Sequence, residues 1–300
     1  MITGIGCMAY DRVLYTNSLW EDGKGKITKE EFRFGGNVRN ALATVSALHV
    51  PTAYLTTMSD KPEWVIALDD LKKSGISTQY VDFKENSYPA IATVFILNNG
   101  ERFIAYDDFS LKHLGLPSKK HVEEALAHTK LLLIDSYTAP PGTLEVLKQA
   151  ISLGIPAIVD AEREGINADQ YKEMIDIAPE LVIPLHYGAF LADHSNVERI
   201  MKHLWNQHRT AVVLTDGANG SYFVTDKNCV VEHQPAFKVN TVDTNGTGDV
   251  FHGAYAVARY HGKSIRESIK YATAAAAVVV QLPNGQPRIP SEDKIQELLI

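Results

Sequence analysis

"NTVDTNGTGDVFHGAYAVA", Asn240 to Ala258, sets a glycine-containing turn against the entry of a helix. Phe251, Ala254, Tyr255 and Ala258 recur at helical spacing and form one apolar face. Asp249 therefore stands in the first helical turn, beside backbone amides that the helix itself leaves unpaired. Such an end attracts anions, and glycine lets a phosphate approach the backbone. As a purely structural acid, Asp249 stabilises the helix by about 0.3–1 kcal/mol. A functional reading gives the two negative groups different places. The amides of Gly246, Thr247 and Gly248 hold charge developing on a transferred phosphoryl group, while Asp249 accepts the proton of the attacking hydroxyl. Phosphoryl transfer depends mainly on such positioning and charge stabilisation. A positioned base contributes about 10² to 10⁴ in rate.

Around this stretch, short apolar runs ("AYLTTM", "LLLID", "PAIVDA", "LVIP", "AVVLT") alternate with segments of helical period, "VRNALATVSALH" and "EWVIALDDLKKSG". The pattern predicts parallel strands buried on both faces by crossover helices. Residues 12–34 and 87–109 break it. Each reads as two strands around a turn, "EDGKGK" and "NNGE", and neither holds enough apolar residues to fold alone. They are expected to form a small sheet that covers a cleft of a single domain spanning 1–300. "SIRESIKYATAAAAVVVQL" opens with a capping box, Ser264 with Glu267, and ends at "PNG". Its alanines suit tight helix–sheet packing or, on a sharper reading, a flat wall for an adenine ring.

The 300 residues carry 29 basic and 36 acidic side chains, a net charge of −7. This composition belongs to a soluble globular chain and shows no basic patch for nucleic acid. "MITGIGCMAY" has no charged leader, and no apolar run is long enough to span a bilayer, so a cytoplasmic protein without membrane partners is expected. Cys7 and Cys229 lie far apart in apolar surroundings and read as buried thiols.

"DTNGTGD", Asp243 to Asp249, resembles the "DTxGAGD" motif of the PfkB (ribokinase-like) carbohydrate kinases, which transfer the γ-phosphate of ATP to a sugar hydroxyl. The likeness continues along the chain. "GIGCMAYD" resembles a first strand ending in a substrate-binding aspartate, Asp11. "FGGNVRNALATVSAL" matches "GGxxxNxA", adding Gly36, Asn37 and Asn40 as sugar contacts. "NNGERF" resembles the lid hairpin. "LTDGANGSYF" matches "TxGxxG", with Thr215, Gly217 and Gly220 beside the nucleotide. The resemblance implies a three-layer α/β/α sandwich with a mostly parallel central sheet and a small β-sheet lid, and ATP and Mg2+ as cofactors. "GGNVRN", "PTAYLTTM" and "LDDLKKSGIS" look most like the ketohexokinase branch, which implies a ketose such as fructose. The amides and carboxylate suit a sugar's several hydroxyls. The bland alternative for Asn37 and Asn40 is helix capping, which one asparagine would satisfy.

There are departures. The family's "NxxE", linked to magnesium, is replaced near "PLHYGAF" by Leu185 and Gly188, which leaves the metal ligands open. "GxDxxG" is replaced by "MSDKPEW". Three other readings stay beside the sugar kinase. A nucleoside kinase would use Tyr88, Ile91 and Phe103 as walls for a base. A phosphosugar kinase would turn Arg39 inward, although Arg39 is expected to point toward solvent or a surface acid. A non-catalytic sugar-binding protein would not need the phosphate nest. Two lids pairing into a homodimer is a further option.

Other signals weigh less. "GIGCMA" fits the dinucleotide pattern GxGxxA but lacks a full strand before it and a helix after it. His121 and His128 are too far apart to share a metal, and His252 and His261 lack partners at ligand spacing. Asp69 and Asp70 read as a solvated face. Asp160 and Glu162 of "DAERE" follow a core strand at its carboxyl end, where contact with a ligand is the less favoured reading.

Overall fold

The computed structural model describes residues 1–17, 25–97, 102–106, 113–163, 165, 168–282 and 288–300. "NNGE", "PNG", most of "EDGKGK", residues 107–109 and Glu164 lie outside them. Among the described residues, no helix is long and apolar enough to cross a membrane.

The apolar runs become the strands of one sheet. These are β1 (Ile2–Ile5), β4 (Thr52–Ser59), β5 (Val81–Lys84), β8 (Leu131–Asp135), β9 (Ala157–Asp160), β10 (Glu180–Pro184) and β11 (Ala211–Thr215). With β12 (Ser221–Val224) and β13 (Glu232–Gln234) the order is β13-β12-β11-β10-β9-β8-β1-β4-β5. Pairing is parallel from β5 to β11, and β12 and β13 are antiparallel additions.

Strand residues alternate between two helical layers because successive side chains point to opposite faces. Leu131 and Leu133 share one core with helices α1 (Asn37–Ala47), α2 (Glu63–Lys73), α8 (Thr247–Tyr260), α9 (Ile265–Val279) and α10 (Glu292–Leu299). Leu132 and Ile134 share the other with α3 (Lys119–His128), α4 (Thr143–Ser152), α5 (Ala168–Ile177), α6 (Leu185–Ala192) and α7 (Val197–Leu204). The three-layer sandwich expected from the sequence is the fold observed.

A second sheet, ordered β3-β2-β6-β7, is built from β2 (Ala9–Thr16), β3 (Ile27–Gly35), β6 (Ile91–Leu97) and β7 (Arg102–Tyr106). Its two antiparallel pairs join through a parallel β2–β6 contact. The first pair is longer than 12–34, reaching back to Ala9 and on to Gly35. Asp11 thus belongs to this small sheet, within β2, and not to the end of the first core strand.

Helix α8 differs from the one-faced helix expected. Every residue from Val250 to Ala258 is buried, because α8 runs between α1 and α9 and packs on all sides. Ala272, Ala274 and Ala275 of α9 are fully buried, which fits the tight-packing reading of its alanines. The capping box of Ser264 with Glu267 is present. Cys7 is buried, while Cys229 is only partly so.

Helices α1 and α8 meet at Gly253. A Cβ there would press into the Ala41 carbonyl oxygen and lie 2.8 Å from Thr44 Cβ. Gly253→Ala is therefore expected to destabilise the protein by about 1–3 kcal/mol. Urea unfolding would show a lower midpoint with an unchanged slope.

Candidate active site

Gly246 caps α8 in the left-handed region, φ 67°, and no side chain caps the helix. A Cβ on Gly248 would meet nothing within 4 Å. The left-handed conformation of this turn thus lies at Gly246, and Gly248 is an open backbone position in an ordinary helical turn. Thr247 Oγ1 donates to the Thr244 carbonyl at 2.9 Å, and the Asn245 amide donates to Asp243 Oδ1 at 2.9 Å, which folds the turn on itself. Asp243 also pairs with Arg288, whose Nη1 donates to the carbonyls of Val279 at 2.6 Å and Leu282 at 3.2 Å. Arg288 ties the turn to the end of α9. It lies in no motif, so spacing offered no signal for it.

Helix α1 approaches from the other side. Gly36 precedes it at φ 108°, where a Cβ would stand 2.5 Å from the Cys7 carbonyl oxygen. A Cβ on Gly35 would collide with the Asp11 carboxylate. The paired glycines thus bring Asp11 against the start of α1, where burial raises its carboxyl to about 6 against the pull of Arg33 and Arg39.

The helix has no side-chain cap, so the capping alternative for the two asparagines fails. Asn40 Nδ2 donates to Asp249 Oδ2 at 2.8 Å, and Asn37 Nδ2 donates to Glu162 Oε2 at 3.0 Å. Arg39 reaches a surface acid, as expected, donating to Asp70 Oδ2 (Nε 3.1 Å, Nη2 2.5 Å) and Ser74 Oγ at 3.0 Å. Asp70 is thereby an ion-pair partner and not merely a solvated charge. Arg39 Nη1 also donates to Asn40 Oδ1 at 3.3 Å, which leaves the Asn40 amino group aimed at Asp249.

Beneath these side chains lies an acidic cluster that the sequence reading did not assemble. Asp135 and Asp160 end neighbouring strands and are register partners. Asp135 accepts the Tyr137 amide at 2.9 Å and the Thr138 hydroxyl at 2.5 Å. Burial, with Glu162 nearby, raises its carboxyl to about 6. Asp160 faces His252 and is buried. Burial pushes Glu162 upward, but its bonds to Arg163 and Asn37 outweigh this and hold it below the usual value. The available signal was that "LLLID" and "PAIVDA" both place an aspartate at a strand's carboxyl end.

Thr215 closes β11, and Gly217 (φ 50°) and Gly220 (φ 94°) shape the turn after it. A cleft of about 500 Å³ opens here, lined by Leu185, His186, Ser195, Thr215, Asp216 and Gly217 among others. Gly188 faces the core, where a Cβ would lie 3.0 Å from Leu214 and 3.1 Å from Ile200, leaving no space for the missing glutamate. Among the described residues, no group of three or more His, Cys, Asp or Glu side chains is arranged to hold a metal ion. His121 instead pairs with Asp82, and His128 bonds the Glu124 carbonyl.

A model of the pfkB family carbohydrate kinases matches residues 1–292. The chain belongs to this family. It is a phosphotransferase with an alcohol group as acceptor. Fructokinase-2 of Oryza sativa subsp. japonica is 28% identical over 292 residues, covering 88% of this chain and 84% of that protein. Ribokinase of Mus musculus is 24% identical, covering 95% and 90%. Among solved structures, Arabidopsis thaliana ribokinase, complexed with ribose and ATP, superposes with a TM-score of 0.85 at 22% identity, covering 99% and 98%. Thermotoga maritima ribokinase does so with 0.83 at 24% identity, covering 100% and 99%. The fold is ribokinase-like.

Because nothing crowds Gly248, Gly248→Val is expected to change folding stability by no more than about 1 kcal/mol. If the open space at Gly248 is where the transferred phosphoryl group sits, phosphoryl transfer should nonetheless fall on the order of 10²-fold, because the side chain fills that space. Paired denaturation and turnover measurements check both halves.

Proposed function

We propose that this pfkB family kinase transfers the γ-phosphate of ATP to a hydroxyl of a small uncharged sugar, with a ketose such as fructose as first candidate. The carrying observation is the contact of Asn40 with Asp249 at the open end of α8. It joins a hydroxyl-binding amide to a carboxylate placed to act as base, beside amides that can hold a phosphoryl group. Asp11, Gly36, Asn37 and Asn40 surround the sugar. Asp249 takes the proton of the attacking hydroxyl, and the amides of Gly246, Thr247 and Gly248 balance charge on the phosphoryl oxygens. Thr215, Gly217 and Gly220 border the nucleotide in the cleft beyond β11. Magnesium suits this arrangement as an ion carried by the nucleotide's phosphates with few protein ligands, supplying charge neutralisation there. The small sheet acts as a lid of the single domain.

Two observations favour an uncharged sugar. Arg39, the candidate reader of a second anion, is engaged by Asp70, Ser74 and Asn40. The relatives include fructokinase-2, ribokinases and deoxyribokinases. A coupled assay over ketoses, aldoses, phosphosugars and nucleosides tests the reading. Preference for ribose would replace the ketose with a pentose, and preference for adenosine would remove the sugar assignment.

Asp249→Asn should lower kcat at least about 10²-fold, the contribution of a positioned base, with sugar and ATP affinity within a few-fold. A smaller loss would remove Asp249 from that role.

Asp11 supplies a pH signature. With its carboxyl raised to about 6, it takes up a proton as pH falls through that value and loses acceptor capacity for a sugar hydroxyl. kcat/KM for the sugar should decline on the acid side of about 6, and Asp11→Asn should remove that limb.

A further inference from the structure

Behind the anion-binding turn, His252 and Asp160 are 7% and 6% exposed, and neither is part of the machinery described above. His252 Nδ1 lies 2.9 Å from the Gly248 carbonyl oxygen. A carbonyl only accepts, so Nδ1 carries the proton, and a neutral ring then has a lone pair on Nε2. That Nε2 faces Asp160 Oδ1 at 3.4 Å, and among the described residues neither atom has a hydrogen-bond partner. An ionised Asp160 would set two acceptors against each other in a buried site, at considerable cost.

We propose that Asp160 and His252 share one proton as a positioning pair. The Asp160 hydroxyl donates to His252 Nε2, and His252 Nδ1–H donates to the Gly248 carbonyl. The peptide held in this way joins Gly248, the last residue of the anion turn, to Asp249, so the pair fixes the backbone of the base. No bond is made or broken in catalysis, and neither residue touches substrate.

The surroundings decide where the proton resides. Asp135 from β8, Glu162 from the segment after β9 and Asp249 from α8 all face Asp160, and Glu162 also faces His252. Asp135 has the Tyr137 and Thr138 donors and Glu162 has Asn37 and Arg163, so both hold negative charge better than Asp160. Two adjacent carboxylates in low dielectric do not both ionise readily. Burial raises Asp160 well above its usual value and lowers His252 to about 4, which agrees with a neutral pair. A neutral Asp160 also keeps a further negative charge away from Asp249, whose work as base requires it ionised.

The effect on rate rests on Asp249 acting as base, whereas the pair itself can be observed without turnover. In ring nitrogen–carbon correlation NMR on the full chain, the His252 signal, assigned by its loss in His252→Asn, should show the neutral Nδ1–H tautomer from about pH 5 to about pH 8. Titration near about 6.5, or the Nε2–H tautomer, overturns the pair. In turnover, Asp160→Ala should lower kcat about tenfold with little change in sugar KM, the cost of one lost buried hydrogen bond. Asp160→Asn, whose amide donates to Nε2 but cannot titrate, should recover most of that loss. It should also retain activity at alkaline pH, where the parent loses its shared proton. An asparagine variant as impaired as the alanine variant would mean that a carboxylate is required and overturns the proposal. If Asp160→Ala does not fold, the tautomer and the asparagine variant decide. If no sugar is phosphorylated, the base assignment fails while the tautomer still tests the pair.

Discussion

The site depends on how closely α1 and α8 approach. Gly253 lets the two helices meet with the Ala41 carbonyl and Thr44 in the place of a side chain. One turn earlier on α8 stands Asp249, and beside Ala41 on α1 stands Asn40, so the same approach brings these two polar groups to 2.8 Å. The surrounding residues of α8 are buried on every side, which makes the helix a fixed support. A wider spacing would leave a carboxylate and an amide on separate surfaces, with no shared position for a hydroxyl.

Charge around that contact is distributed by geometry. Arg39 is drawn to Asp70 and, through Asn40 Oδ1, sets which end of the amide meets Asp249. Arg163 holds Glu162, and Arg288 holds Asp243 at the base of the turn. Among the described residues, Arg39, Arg163 and Arg288 are each engaged by an acid, and the N-terminal end of α8 carries the positive partial charge of unpaired amides. Underneath, the carboxyl ends of β8 and β9 bring Asp135 and Asp160 together, and burial makes their protonation depend on which one has donors.

Local chemistry made much of this legible. Apolar runs alternating with helical periods imply a parallel sheet covered on both faces, because a strand hydrophobic throughout must be buried twice. "NGTGD" before an apolar helix implies an anion turn with an acid in its first turn, since the unpaired amides and the permissive glycine are properties of a few consecutive residues. The small sheet was recognisable from turn residues and alternation, although its strands extend to Ala9 and Gly35.

Tertiary structure decided which of these residues meet. His252 had no partner at sequence spacing, and its partner Asp160 comes from a distant strand. Arg288 reaches Asp243 only because the chain turns back past the end of α9. Asp11, placed by motif at the end of the first core strand, stands in the small sheet, opposite Arg33. Of the two glycines in "NGTG", only Gly246 takes the left-handed conformation. Sequence determined the elements and the chemistry at their ends, because backbone pairing and helix termini are local. Proton placement and side-chain pairing were left to packing, because both depend on distances and burial between residues far apart in the chain.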